Sequence, residues 1–136
     1  MTRQRIMAGA RASGVLLAAI SVAIIMLEAC AGTGGSEPYR MVAQGNADSG
    51  KVAINRFGCG SCHMIPGIRD AQGVVGPPLT AFGRRVYIAG EVPNTSENLV
   101  QWLEVPQSIE PGTAMPNLGV TEGEARDIAA YLYTLR

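Results

Sequence analysis

The stretch Cys59-Gly60-Ser61-Cys62-His63 decides how this chain is read. Two thiols three positions apart, followed at once by an imidazole, suit covalent capture of a haem. Each cysteine adds to one vinyl group as a thioether, and the adjacent histidine reaches beneath the ring to ligate the iron. The vinyls sit on neighbouring pyrroles, so a single turn of chain spans them. Two other chemistries share the spacing: a dithiol redox centre, and half of a structural zinc site. A zinc site needs a second ligand pair, yet the chain holds only three cysteines and one histidine, which leaves Cys30 alone. A thioredoxin-like dithiol belongs in a βαβ pattern, and none flanks this motif.

Upstream of the motif, Asp48 to Phe57 reads as a short helix, capped by Asp48 or Asn46, with Val52, Ala53, Ile54 and Phe57 on an apolar side. Gly50 costs helicity there, which points to close approach of another element. Residues 30–46, small and polar without apolar periodicity, read as a flexible tether. Residues 1–29 read as an export signal: Arg3, Arg5 and Arg11 open it, and Val15 to Leu27 is nearly unbroken apolar chain. That run is shorter than the roughly 20 residues that span a bilayer, so export and cleavage is the first reading and an uncleaved anchor the alternative. Leu27-Glu28-Ala29-Cys30 resembles a bacterial lipoprotein cleavage box, which would make Cys30 the lipidated first residue of the mature protein. The other reading is ordinary cleavage near Ala29 or Ala31, with Cys30 left as a free thiol. Either reading places residues 47–136 outside the cytoplasm as one domain.

With 136 residues, few aromatics and frequent glycine and proline, a domain of this make-up builds a thin core, into which a buried macrocycle fits as filler. From Cys30 onward, eight Lys and Arg stand against ten Asp and Glu, and Lys51 is the single lysine. No basic stripe offers itself to nucleic acid.

Downstream, Gly76-Pro77-Pro78-Leu79 forbids helix and fixes an extended path. Asn94 or Thr95 caps a second helix whose apolar side is Leu99, Val100, Trp102 and Leu103, closed by Pro106. Thr121-Glu122-Gly123-Glu124 is a capping box, and Ala125, Ile128, Tyr131, Leu132 and Leu135 then mark one buried stripe.

This order of elements over about residues 45–136 resembles the class I, mono-haem cytochrome c family: a glycine-bearing helix, Cys-x-x-Cys-His, Gly-Pro-Pro-Leu79, Phe82-Gly83-Arg84, Pro111-Gly112-Thr113-Ala114-Met115, and a terminal helix. The resemblance implies an all-α cytochrome c fold, three to five short helices around one haem c bound through Cys59 and Cys62. It implies that Gly50 packs against Tyr131, that the Pro77 carbonyl accepts from His63, that Arg84 and Thr113 meet the haem propionates, and that Trp102 lies beside the methionine ligand. Trp102 also reads as plain core, and Arg84 as a solvated charge. Met115 takes the place of the family's sixth iron ligand. Elimination agrees: His63 has no histidine partner, Met64 adjoins it, Met41 precedes the domain, and Met1, Met7 and Met26 lie in the leader. More narrowly, Gly90, Pro93-Asn94, Leu99, Trp102-Leu103, Pro106 and Met115-Pro116 resemble the cytochrome c domain fused to subunit II of some haem–copper oxidases.

The expected function is one-electron transfer by a carrier, not an enzyme, with no small-molecule substrate. It would sit on the periplasmic face of a bacterial membrane through lipid at Cys30, between an electron-donating complex or dehydrogenase and a terminal oxidase. A haem-based gas sensor or weak peroxidase, and a haem subunit of an oxidase that does not exchange electrons with soluble partners, are the alternatives.

Overall fold

Asn46 starts the first helix, and its two roles explain why the chain folds back on itself. The elements of this computed structural model, which describes residues 41, 42 and 44–136, run α1 (Ala47–Arg56), β1 (Tyr87–Ile88), β2 (Val92–Pro93), α2 (Ser96–Glu104) and α3 (Glu122–Thr134). 3₁₀ turns stand at Cys59–Ser61, Phe82–Arg84 and Pro106–Ser108. The expected export signal, Cys30 and the tether as far as residue 40 lie outside the described residues. The side chain of Asn46 accepts from the Ser49 N–H at 2.9 Å, satisfying one of the helix's unpaired donors. Its own N–H donates to Asp127 Oδ1 on α3 at 2.7 Å.

α1 packs chiefly on α3, and Gly50 is the reason it comes so near. The atoms closest to a Cβ built on Gly50 are the Asp127 carbonyl and the Ile128 nitrogen, inside any permitted contact. The crossing is therefore backbone against backbone, one turn earlier on α3 than the expected Tyr131. Tyr131 instead donates its hydroxyl to the Pro66 carbonyl at 2.7 Å, and burial pushes its phenol pKa up. Arg56, at the end of α1, pairs with Glu124 in the first turn of α3.

The capping box before α3 is formed: the Thr121 N–H and hydroxyl both meet Glu124 Oε2, at 2.9 and 2.8 Å. Its buried stripe is Ala125, Ile128, Ala129, Leu132 and Tyr133, so Tyr133 takes the inward position and Tyr131 and Leu135 are only half-buried. Thr95, not Asn94, caps α2, accepting from the Asn98 N–H at 3.3 Å. α2 lays Leu99, Val100 and Leu103 against α3.

β1 and β2 form a minimal antiparallel hairpin, pairing Tyr87 with Pro93 and Ile88 with Val92. Ala89 and Gly90 turn it with φ of 54° and 85°, the left-handed pair that matches strand twist. Apart from this hairpin the fold is all-α, as the helical signals lead one to expect. Among the described residues, no helix is long and apolar enough to cross a membrane.

Candidate cofactor site

Gly58 ends α1 in a left-handed conformation, φ 67°, and the Cys59–Ser61 turn follows at once. The N–H groups of Cys62 and His63 both donate to the Cys59 carbonyl, at 3.3 and 3.0 Å. In a 3₁₀ turn residues i and i+3 eclipse, so Cys59 and Cys62 lie on one side. Both sulfurs are free and half-buried.

The loop after the motif doubles back over it with its side chains deleted where they would collide. A Cβ on Gly60 would stand 2.7 Å from that of Ala71, and one on Gly73 would strike the Ser61–Cys62 backbone. Gly73 donates to the Gly60 carbonyl at 3.1 Å and Gly76 to that of Cys62 at 2.8 Å. A Cβ on Gly76 would run into the His63 ring itself. The path delivers the Pro77 carbonyl to within 2.8 Å of His63 Nδ1. A carbonyl only accepts, so Nδ1 holds the proton and Nε2 keeps its lone pair for a metal. The Pro77 carbonyl thus stands where the resemblance implies an acceptor for His63.

One cavity of about 530 Å³ brings the predicted residues together. Its walls include Cys59, Cys62, His63, Trp102, Thr113 and Met115, with the core side chains Ile54, Leu99, Ile128 and Leu132 behind them. Sites for cofactors run from about 300 to 1,000 Å³ and are mostly apolar, and this one is of that kind. An imidazole with its metal-facing nitrogen bare, a thioether and two cysteines opening on one apolar space are the donor set that fits a haem. Burial pushes the Cys59 thiol up, with the neighbouring Cys62 adding to the rise over an opposing backbone hydrogen bond. A reactive redox dithiol needs the reverse. Zinc gains nothing either: among the described residues no three His, Cys, Asp or Glu side chains are placed to hold one metal ion together.

Of the two readings of Arg84, its position fits the solvated charge. It is exposed and does not line the cavity, whereas Arg85 does. The Arg85 guanidinium donates to the Pro78 carbonyl and lies 5.3 Å from the Phe82 ring centre. Sequence reasoning also missed Asn94, buried to 2 % exposure. Its amide donates to the carbonyls of Phe82 at 3.2 Å and Arg85 at 3.0 Å, and its oxygen accepts from the Tyr133 hydroxyl at 3.0 Å. This network hangs the loop bearing Arg85 from α3. Trp102 is both cavity wall and core neighbour.

The cytochrome c family profile matches residues 47–136, the described helices and the whole cavity wall. The chain belongs to the cytochrome c family. Its similar relatives are cytochrome c oxidase subunit 2 proteins: from Alkalihalophilus pseudofirmus, 35 % identical over 91 residues, covering 66 % of this chain and 26 % of that one; from Bacillus strain PS3, 34 % over 94 residues, covering 66 % and 26 %; and from Bacillus subtilis, 31 % over 98 residues, covering 70 % and 28 %. The chain therefore spans about a quarter of the length of the curated relatives it matches. As a cytochrome c it is an all-α, electron-transfer haem protein.

Proposed function

We propose that this cytochrome c carries single electrons with one haem c, held by thioethers at Cys59 and Cys62 and ligated by His63 and Met115. The observation that carries the reading is the shared cavity, into which the Cys59-Cys62-His63 turn and the Met115 loop both open. In attachment each thiol S–H adds across a vinyl C=C, so the sulfur takes one carbon, the hydrogen takes the other and nothing leaves. The haem supplies the one-electron change at iron. The chain's own residues set its terms. The Pro77 carbonyl draws on the Nδ1–H and makes His63 Nε2 a stronger donor. The soft sulfur of Met115 favours the ferrous state, and the apolar walls disfavour added charge, both raising the potential. Arg85, on the cavity wall beside Pro78, takes over the propionate role that the sequence assigned to Arg84, and Thr113 stands as a second donor. With both axial positions filled the protein is a carrier and binds no small substrate.

That the relatives are oxidase subunits favours a terminal oxidase as electron acceptor. The export signal and Cys30 favour a lipid tether at the periplasmic face, which raises local concentration and replaces the lysine ring that the composition lacks. The residues numbered 1–29, 30–46 and 47–136 then serve as signal, tether and redox domain.

Carbon monoxide added to the ferrous holoprotein tests the ligation. An unchanged spectrum is expected, and a prompt carbonyl spectrum moves the gas sensor or peroxidase ahead. Anaerobically reduced protein mixed with oxidase-containing membranes is expected to be reoxidised, and failure with every such membrane defeats the oxidase assignment.

A further inference from the structure

The loop that carries Met115 has no regular secondary structure and lies exposed at Ala114, Pro116 and Asn117. A ligand on such a segment needs something to fix its backbone. Two side chains do so, and they grip both polar groups of the same residue. The Met115 N–H donates to Thr113 Oγ1 at 3.2 Å, and the Met115 carbonyl accepts from Gln107 Nε2 at 2.8 Å. Gln107 stands on the 3₁₀ turn Pro106–Ser108, which Pro106, buried, anchors to the end of α2. That turn is braced in its own right, since Ser108 donates to the Val105 carbonyl at 2.7 Å and accepts from Gln101 Nε2 at 3.2 Å.

We propose that Gln107 is a positioning residue for the sixth iron ligand: by clamping the Met115 carbonyl to the turn after α2, it keeps the thioether on the iron and the site closed to outside ligands. This rests on His63/Met115 ligation. Thr113 holds the N–H through its oxygen, which leaves its hydroxyl hydrogen to reach another acceptor. The Gln107 bond spans eight residues and joins the loop to a fixed element, whereas the Thr113 bond is local to the loop. The long-range grip therefore falls to Gln107. Its side chain is exposed, so replacing it leaves the core intact.

The test uses the haem-loaded protein and the variants Gln107→Leu, Gln107→Glu and Gln101→Leu. Glutamate keeps the length of Gln107 but lacks the donor. Gln101→Leu removes the brace to Ser108 without touching Met115. Loss of one net hydrogen bond raises the population with Met115 off the iron by about three- to tenfold. Carbonyl formation by the ferrous protein is expected to quicken by that factor in both Gln107 variants. The methionine–iron charge-transfer absorption of the ferric protein weakens with it, and Gln101→Leu behaves as wild type. Gln107 variants that match wild type in both readouts overturn the clamp. So does Gln101→Leu opening the site equally, since the effect would then belong to the turn as a whole. Prompt carbonyl formation by the wild type is a different failure: it overturns His63/Met115 ligation itself, and the clamp falls with it.

Discussion

Gly76→Ala isolates the contact between the doubled-back loop and the His63 ring. Gly76 does not occupy a left-handed φ, so alanine suits its backbone and any penalty comes from contact. All three atoms nearest an added Cβ belong to the His63 ring. The ring cannot turn aside freely, because Nδ1 is held to the Pro77 carbonyl at 2.8 Å. Overpacking of this sort costs about 1–3 kcal/mol, and loosening the hydrogen bond adds about 0.5–1.5 kcal/mol. The expected loss is about 2–4 kcal/mol. With a urea slope of about 1.5 kcal/mol/M, the midpoint falls by about 1–3 M. Under the ligation proposed above, a weaker Nδ1–H bond also leaves the imidazole a poorer donor to ferric iron, so the potential rises by tens of millivolts, on the order expected for a fraction of that bond. The measurements are urea unfolding followed by circular dichroism and a spectroelectrochemical titration. A midpoint within about 0.3 M of wild type, together with an unchanged potential, refutes the claim that Gly76 is spared a side chain for the sake of His63.

Asn94→Leu removes the bonds to the Tyr133 hydroxyl and to the carbonyls of Phe82 and Arg85, and is expected to cost about 2–4 kcal/mol in the same urea assay. Arg85→Leu is expected to lower stability by about 1–2 kcal/mol through the lost Pro78 bond and Phe82 stacking. Arg84→Leu is expected to stay within about 0.5 kcal/mol, and equal effects would contradict the contrast between the bonded Arg85 and the exposed Arg84. The Glu124 carboxyl is held below its ordinary pKa by the Thr121 N–H and hydroxyl, with Arg56 behind them. Its contribution is thus full above the ordinary glutamate pKa of about 4.3 and is lost as pH falls through the lowered folded value. The stability gap between wild type and Glu124→Gln should therefore be widest near neutrality and close as pH falls through the lowered folded value; a gap that stays constant on acidification contradicts the assignment.

Much of this site was legible because its chemistry is local in sequence. Cys59, Cys62 and His63 occupy one turn, and Pro77 and Met115 stand in short proline-rich runs whose backbones have little freedom. The helices were legible through caps and apolar spacing, with the bounds of α1 and α2 within a residue or three. Arg84 and Arg85 were not separable on residues alone, since which of two adjacent arginines faces the cavity depends on how the Phe82–Arg84 turn rotates them. The hairpin at Tyr87–Pro93 escaped because two-residue strands carry no alternation to detect. Asn94 looked like a cap and proved to be the centre of a buried network, a role set by Tyr133, 39 residues away. Gln107 gave no signal, because an exposed glutamine in a polar turn is unremarked until its partner is known.

Ile54, Leu99, Ile128 and Leu132 appear twice in this molecule, once as buried core side chains and once as wall of the cavity. Little thickness of scaffold separates folding from electronics. A change at any of these four alters both at once, and the absorption of the bound haem becomes an internal gauge of how α1, α2 and α3 sit together. Val75, Tyr87 and Leu118 are different, for they touch the same cavity while 76 %, 56 % and 40 % exposed. An engineer who wants a new potential in an unchanged protein should begin with those three positions at the mouth.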